Sequence, residues 1–158
     1  MEYSEASILI GKIFEKLEEL IPVYMSIPED NAVSNGVVSV CIIDEFGQVY
    51  GRLFGDDKIR CRETFRIAWT KASQVWITGF ETHEFEKLVF TDQIDHRKFG
   101  IRMPDMIGYK GGQPVTFRDG TKLAIGFSGF RGTTDLEIVS KAIEKIEHAE
   151  PNKYFREI

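Results

Sequence analysis

Lys122-Leu123-Ala124-Ile125-Gly126-Phe127-Ser128 is the stretch that most restricts what this chain can fold into. Side chains alternate across a strand, so Leu123, Ile125 and Phe127 share one face. Ala124, Gly126 and Ser128 share the other, which is almost bare. A bare face can be covered only at short range, either by a helix lying unusually close or by a ligand. We expect a helix over most of it, with any opening at the Ser128-Gly129 end. Just upstream, Asp119-Gly120 separates Gln113–Phe117 from this strand, and an Asp-Gly pair between two apolar runs predicts a hairpin.

A second hairpin is legible earlier. Val37–Ile43 is β-branched and apolar throughout, as suits a strand buried on both faces. Asp44-Glu45-Phe46-Gly47 reads as a short turn, and Gln48–Phe54 as the returning strand. Hairpins enforce antiparallel pairing, which excludes a parallel nucleotide-binding sheet.

The remaining segments read as helices. Ala6, Leu9, Ile10, Ile13, Leu17 and Leu20 recur at helical spacing, and Pro22 is expected to end that helix. Residues 26–35 read as a polar loop. Arg60–Thr78 carries Phe65, Ala68, Trp69, Ala72, Val75 and Trp76 at helical spacing, with Gly79 as a stop. Thr82 has the look of a cap to a shorter helix. Residues 92–105 show no period. Thr134-Asp135-Leu136-Glu137 matches a capping box, with Asp135 in a first turn where a negative charge is favoured. Leu136, Val139, Ile143 and Ile146 would be the stripe of the last helix. The expected fold class is α+β, an antiparallel sheet with helices packed on it. Residues 1–150 read as a single domain, and 151–158 as a charged tail that frays.

The 158 residues suit one core, and the formal net charge of -5 argues against a nucleic-acid partner. Of the two cysteines, Cys41 falls in the apolar run, and no zinc-binding spacing exists. No apolar run reaches membrane-spanning length and none resembles a signal peptide, so we expect a cytoplasmic protein with no membrane partner.

The glycine-dense stretch 110–135 invites a phosphate-loop reading, which its order refuses. Gly120-Thr121-Lys122 sits in a hairpin, without the Gly-x-x-x-x-Gly-Lys spacing. Nor is Ser128 an elbow nucleophile, because residue 130 is Phe where that motif needs Gly. Ser128–Gly132 does feed a helix N-terminus, which can hold an anion. Lys71 lies within an apolar helical pattern. It either snorkels or is a buried amine of lowered pKa that could bind a carboxylate or carry a proton. His96, among mixed charges in the aperiodic segment, is the better general acid/base candidate of the histidines. His83 has acidic neighbours but no second His at metal spacing, so no metal site is expected. Arg52 alternates with Tyr50 and Phe54 on one strand face, where it could clasp an acid or form a subunit contact.

Three blocks together resemble the GlcG/HbpS-like family: haem-binding HbpS, glycolate-operon GlcG and the PduO C-terminal domain. They are Val37–Asp57, then Arg66–Gln74 with Ala68, Lys71 and Ala72 in place, and Gly111–Asp135. In the last block Gly111, Gly112, Pro114, Ile125, Gly126, Ser128, Gly129 and Asp135 match. The chain differs at Gln74-Val75, where the family tends to have Thr-Ala, and its first helix has no His. The resemblance implies a five-stranded antiparallel sheet of the profilin-like kind and a homo-oligomer. It also implies a small organic ligand, with haem or another tetrapyrrole first. The expected ligand-binding residues are Arg52, Lys71, Gly111, Gly112, Ser128 and Gly129. The alternative is an enzyme acting on a small carboxylate, with Lys71 or His96 as proton carrier.

Overall fold

The computed structural model describes residues 3–156. Both hairpins form and join into one antiparallel sheet. Its strands are β1 (Val38–Asp44), β2 (Val49–Phe54), β3 (Gly112–Thr116) and β4 (Lys122–Ser128), in the order β2-β1-β4-β3. The two turns are built alike. Gly47 and Gly120 hold φ of 80° and 94°, and their N–H groups donate back to the Asp44 and Phe117 carbonyls at 3.1 and 2.9 Å. A type I turn followed by a left-handed residue joins strands in this way.

Four strands are described, not five. The two hairpins read from the residues account for all of them, and the fifth was implied only by the family resemblance. The segment between the second hairpin and the preceding helix has no alternating pattern. It forms a 3₁₀ turn at His96–Phe99 and irregular chain up to Gly111.

Helices α1 (Tyr3–Met25) and α5 (Gly132–Ala149) cover one face of the sheet. Leu9, Ile13 and Leu17 of α1 and Ile138 and Ile143 of α5 bury Val40, Ile42, Ile125 and Phe127 in the main core. Helices α3 (Lys58–Thr78) and α4 (Thr82–Phe90) lie on the opposite side. There Ala68, Ala72 and Val75 meet Cys41, Ile43 and Ala124. Trp69 and Trp76, expected in the α3 stripe, are 43% and 50% exposed instead. The reason lies in β4. A Cβ at Gly126 would collide with the Ala68 carbonyl oxygen and stand 2.7 Å from the Ala72 nitrogen. Helix and strand approach backbone to backbone at Ala68 and Ala72, with the Lys71 stem alongside.

Other expectations give way to packing. Pro22 does not end α1, which runs on to Met25 because Ile21 and Tyr24 remain buried in the core. Residues 26–35 hold a short helix, α2 (Pro28–Ser34), opened by a proline in its first turn. Thr82 does not cap α4; its hydroxyl donates to the Tyr109 carbonyl at 2.6 Å. Helix α5 starts at Gly132, two residues before the expected capping box. The tail docks through its described part. Tyr154 is fully buried against Phe117, and Arg156 pairs with Glu147 at 2.8 Å. Residues 157–158 lie outside the described residues. No helix among those described is long and apolar enough to cross a membrane.

Candidate functional site

The bare strand face is covered by α3 along most of its length and opens at the end expected. Lys71 reaches under the Ser128 end of β4. Its Nζ donates to the Phe127 carbonyl at 2.8 Å and lies 3.3 Å from Asp135 Oδ2. Both side chains are 3% exposed. The other Asp135 oxygen accepts the Phe130 N–H at 3.0 Å.

Burial lowers the Lys71 ammonium from its ordinary value, against the pull of Asp135. Burial likewise pushes the Asp135 carboxyl up to about 7, although Lys71 and the Phe130 N–H work the other way. The Asp135 carboxyl therefore stands near the neutral range in a dry place. Gly111 seals it from one side, since a Cβ there would lie 2.7 Å from the Lys71 Nζ. Gly112 packs on Thr82 and on the Lys71 stem.

Above this pair lies a cleft of about 350 Å³ floored by Ser128 and Gly129. Arg60, Lys110, Glu63 and Tyr109 also line it. Arg60 is held by the Val33 and Ser34 carbonyls at 3.0 and 3.1 Å. The α5 N-terminus, expected to offer an anion site, already holds an internal carboxylate. Asp30 of α2 accepts the Arg131 N–H at 3.1 Å, the Arg131 guanidinium at 3.0 and 3.1 Å, and the Thr134 hydroxyl at 3.0 Å. Burial raises the Asp30 carboxyl, but these bonds outweigh it and leave it below its usual range.

Lys71, Gly111, Gly112, Ser128 and Gly129 thus converge, together with Asp135. Arg52 does not join them. It lies on the α1 side of the sheet, 3.1 Å from Glu18. His96 is also elsewhere, its Nδ1 against the Ile101 carbonyl. Cys41 offers no nucleophile, because burial pushes its thiol up to about 12. Asp135 was legible as a helix-start residue and as a match to the family block, but not as a partner of Lys71, 64 positions away. Lys110 and Tyr109 left no local signal, since the irregular segment has no period from which to place a side chain, whereas Arg60 lies in the first turn of α3, close to where the expected helix Arg60–Thr78 begins. Gln74, which marks a difference from the family pattern, has a structural task. Its buried amide donates to the Ile107 carbonyl at 2.8 Å and accepts the Ile107 N–H at 2.9 Å, bolting residues 100–109 to α3.

This layered α+β fold is one already seen in solved structures. The structure is similar to PduOC, solved as a haem complex: TM-score 0.56 and 18% identity, over 91% of this chain and 93% of that one. HbpS gives 0.52 and 18%, over 86% and 87%. Klebsiella pneumoniae protein ORFY, of family DUF336, gives 0.51 and 20%, over 91% and 88%. No family model and no curated protein matches the sequence. The fold likeness and the sequence blocks point to the same group of proteins.

Haem iron is held in proteins by His, Cys, Met or Tyr. Of the residues lining the cleft, only Tyr109 is of these types. The cleft therefore does not fit a His-ligated haem, and it offers the porphyrin edge Arg60 and Lys110 rather than an imidazole.

Proposed function

We propose that this chain is a small-ligand-binding protein of the GlcG/HbpS-like kind. Its ligand is an organic molecule bearing a carboxylate, held in the cleft above Lys71 and Asp135. The observation that carries this reading is the cleft itself. A glycine-cut floor lies over a buried, internally neutralised Lys–Asp pair, so the cationic side chains of Arg60 and Lys110 are left to meet an anion. Lys71 supports the floor through the Phe127 carbonyl and Asp135; it is not a free amine. The haem complex of PduOC makes a tetrapyrrole the first ligand to test. Here such a ligand would use the phenol of Tyr109. The family resemblance adds a homo-oligomer as the working assembly.

Hemin added to the protein is expected to give a shifted Soret band that Tyr109→Phe abolishes. An unshifted band removes the haem reading and leaves the carboxylate one. That one is then tested by titrating acetate and succinate calorimetrically against wild type and the Arg60→Gln, Lys110→Gln double variant. Binding of neither acid, or equal binding by both proteins, overturns it.

A second reading is favoured by one observation, the Asp135 carboxyl near 7 beside a lysine of lowered pKa. Such a pair could lend and take back a proton for a reaction on the bound carboxylate. It predicts turnover governed by an ionisation near neutrality that Asp135→Asn removes.

A further inference from the structure

A second and larger cavity, of about 550 Å³, lies on the outer side of α3, under the segment from Gly100 to Tyr109. It falls within the size range of small-molecule sites. Two aromatic rings line it. Trp69 stands 43% exposed on α3 and Tyr109 78% exposed on the facing segment. Neither ring has an aromatic partner among the described residues.

The mounting is rigid on both sides of Tyr109. Gln74 grips Ile107 through both of its backbone groups, and Thr82 bonds both the Tyr109 carbonyl and, at 3.3 Å, the Gly112 N–H. An exposed aromatic on a fastened backbone gives up little freedom when a ligand stacks on it.

The charges lining the cavity are Arg66, Arg102 and Asp105. Arg66 is engaged by Glu63 at 2.6 Å. Arg102 makes no ion pair among the described residues. A guanidinium without an ion-pair partner lining the same cavity as two exposed rings suits a flat anion. The rings take the aromatic body, and the planar fork of Arg102 takes the carboxylate.

We infer that the cavity between α3 and the Gly100–Tyr109 segment is a binding site for a planar aromatic carboxylate, stacked on Trp69 and Tyr109 and ion-paired to Arg102. This site adjoins the cleft above Lys71 and shares Ile67 and Tyr109 with it, but Trp69 and Arg102 line this cavity alone, and its occupancy does not depend on that cleft binding anything.

The probe is 2-naphthoate, followed by the two indole N–H signals in nitrogen-edited proton NMR, assigned with Trp69→Phe. The Trp69 signal is expected to move in a saturable way. The Trp76 signal should stay, because its indole N–H donates to the Asp44 carbonyl at 3.2 Å and the residue lies outside the cavity. Arg102 is exposed, so Arg102→Gln should fold normally and weaken binding at least tenfold. Tyr109→Leu should weaken it severalfold, and cyclohexanecarboxylate should bind at least tenfold more weakly than 2-naphthoate. A motionless Trp69 signal at millimolar probe, an Arg102→Gln affinity equal to wild type, or equal affinity for the saturated ring each overturns the proposal. The Arg60→Gln, Lys110→Gln double variant is expected to bind 2-naphthoate here as wild type does; loss there would assign the probe to the other cleft and overturn this one.

Discussion

Lys71 and Asp135 show how one buried pair can shape a site and still weigh on stability. Removing a single partner leaves the other charged and dry, so Lys71→Ala should cost about 3–5 kcal/mol, read from denaturant midpoints. The pH dependence follows from the raised carboxyl of Asp135. Its ordinary value is 3.8 and its folded value about 7. Between those limits the folded protein holds a proton that the unfolded chain has lost. The stabilisation from this group is therefore complete below the lower value and is lost as pH rises through the upper one. Lys71 is lowered and has the opposite sign: its contribution is complete above its ordinary value and declines as pH falls through its folded one. Urea midpoints of wild type should decline from pH 5 to pH 8, and Asp135→Asn should flatten that slope. An unchanged slope in the variant would mean that Asp135 titrates normally.

At the scale of elements, the fit of α3 on β4 decides the architecture. Gly126→Ala would drive a methyl into the α3 backbone, and backbone cannot turn aside as a side chain can. A loss of about 3 kcal/mol or more is expected, at the upper end of overpacking costs. Gly120→Ala offers the contrast. Nothing lies within 4 Å of its Cβ, so only the backbone strain of its positive φ remains, roughly 1 kcal/mol. Equal losses at the two positions would contradict the close approach. Both hairpins, α3 and the bare face were legible because each is a local pattern of period or turn chemistry. The same patterns misplaced the starts of α4 and α5. Thr82 and Thr134 carry cap-like side chains that the tertiary structure spends elsewhere, on Tyr109 and Asp30. The convergence of Lys71, Gly111 and Ser128 was legible only through the family resemblance, and Tyr109 and Arg102 were not legible at all. Their placement depends on Gln74 and Thr82 fastening an aperiodic segment, a long-range arrangement with no local signature.

At the scale of the whole molecule, β2 is the element least accounted for within one chain. It is an outer strand of the sheet, and among the described residues no strand pairs with its outer edge of backbone N–H and C=O groups. Val49 and Leu53 are 51% and 50% exposed on it, and Phe46 in the adjoining turn is 52% exposed. Open edges of this kind are normally blunted by charge, and the charge β2 does carry, Arg52, is turned towards Glu18 of α1. The proposed homo-oligomer would cover this edge by pairing it with another copy, which satisfies the backbone and buries the three apolar side chains together. Light scattering should then give a molar mass that is a multiple of 18.1 kDa. Leu53→Lys places a charge on the exposed face without touching the core, and should reduce the mass to that of one chain while circular dichroism stays unchanged. A wild-type protein that is monomeric at micromolar concentration would leave β2 as a solvated edge. An oligomer indifferent to Leu53→Lys would move the contact to another face.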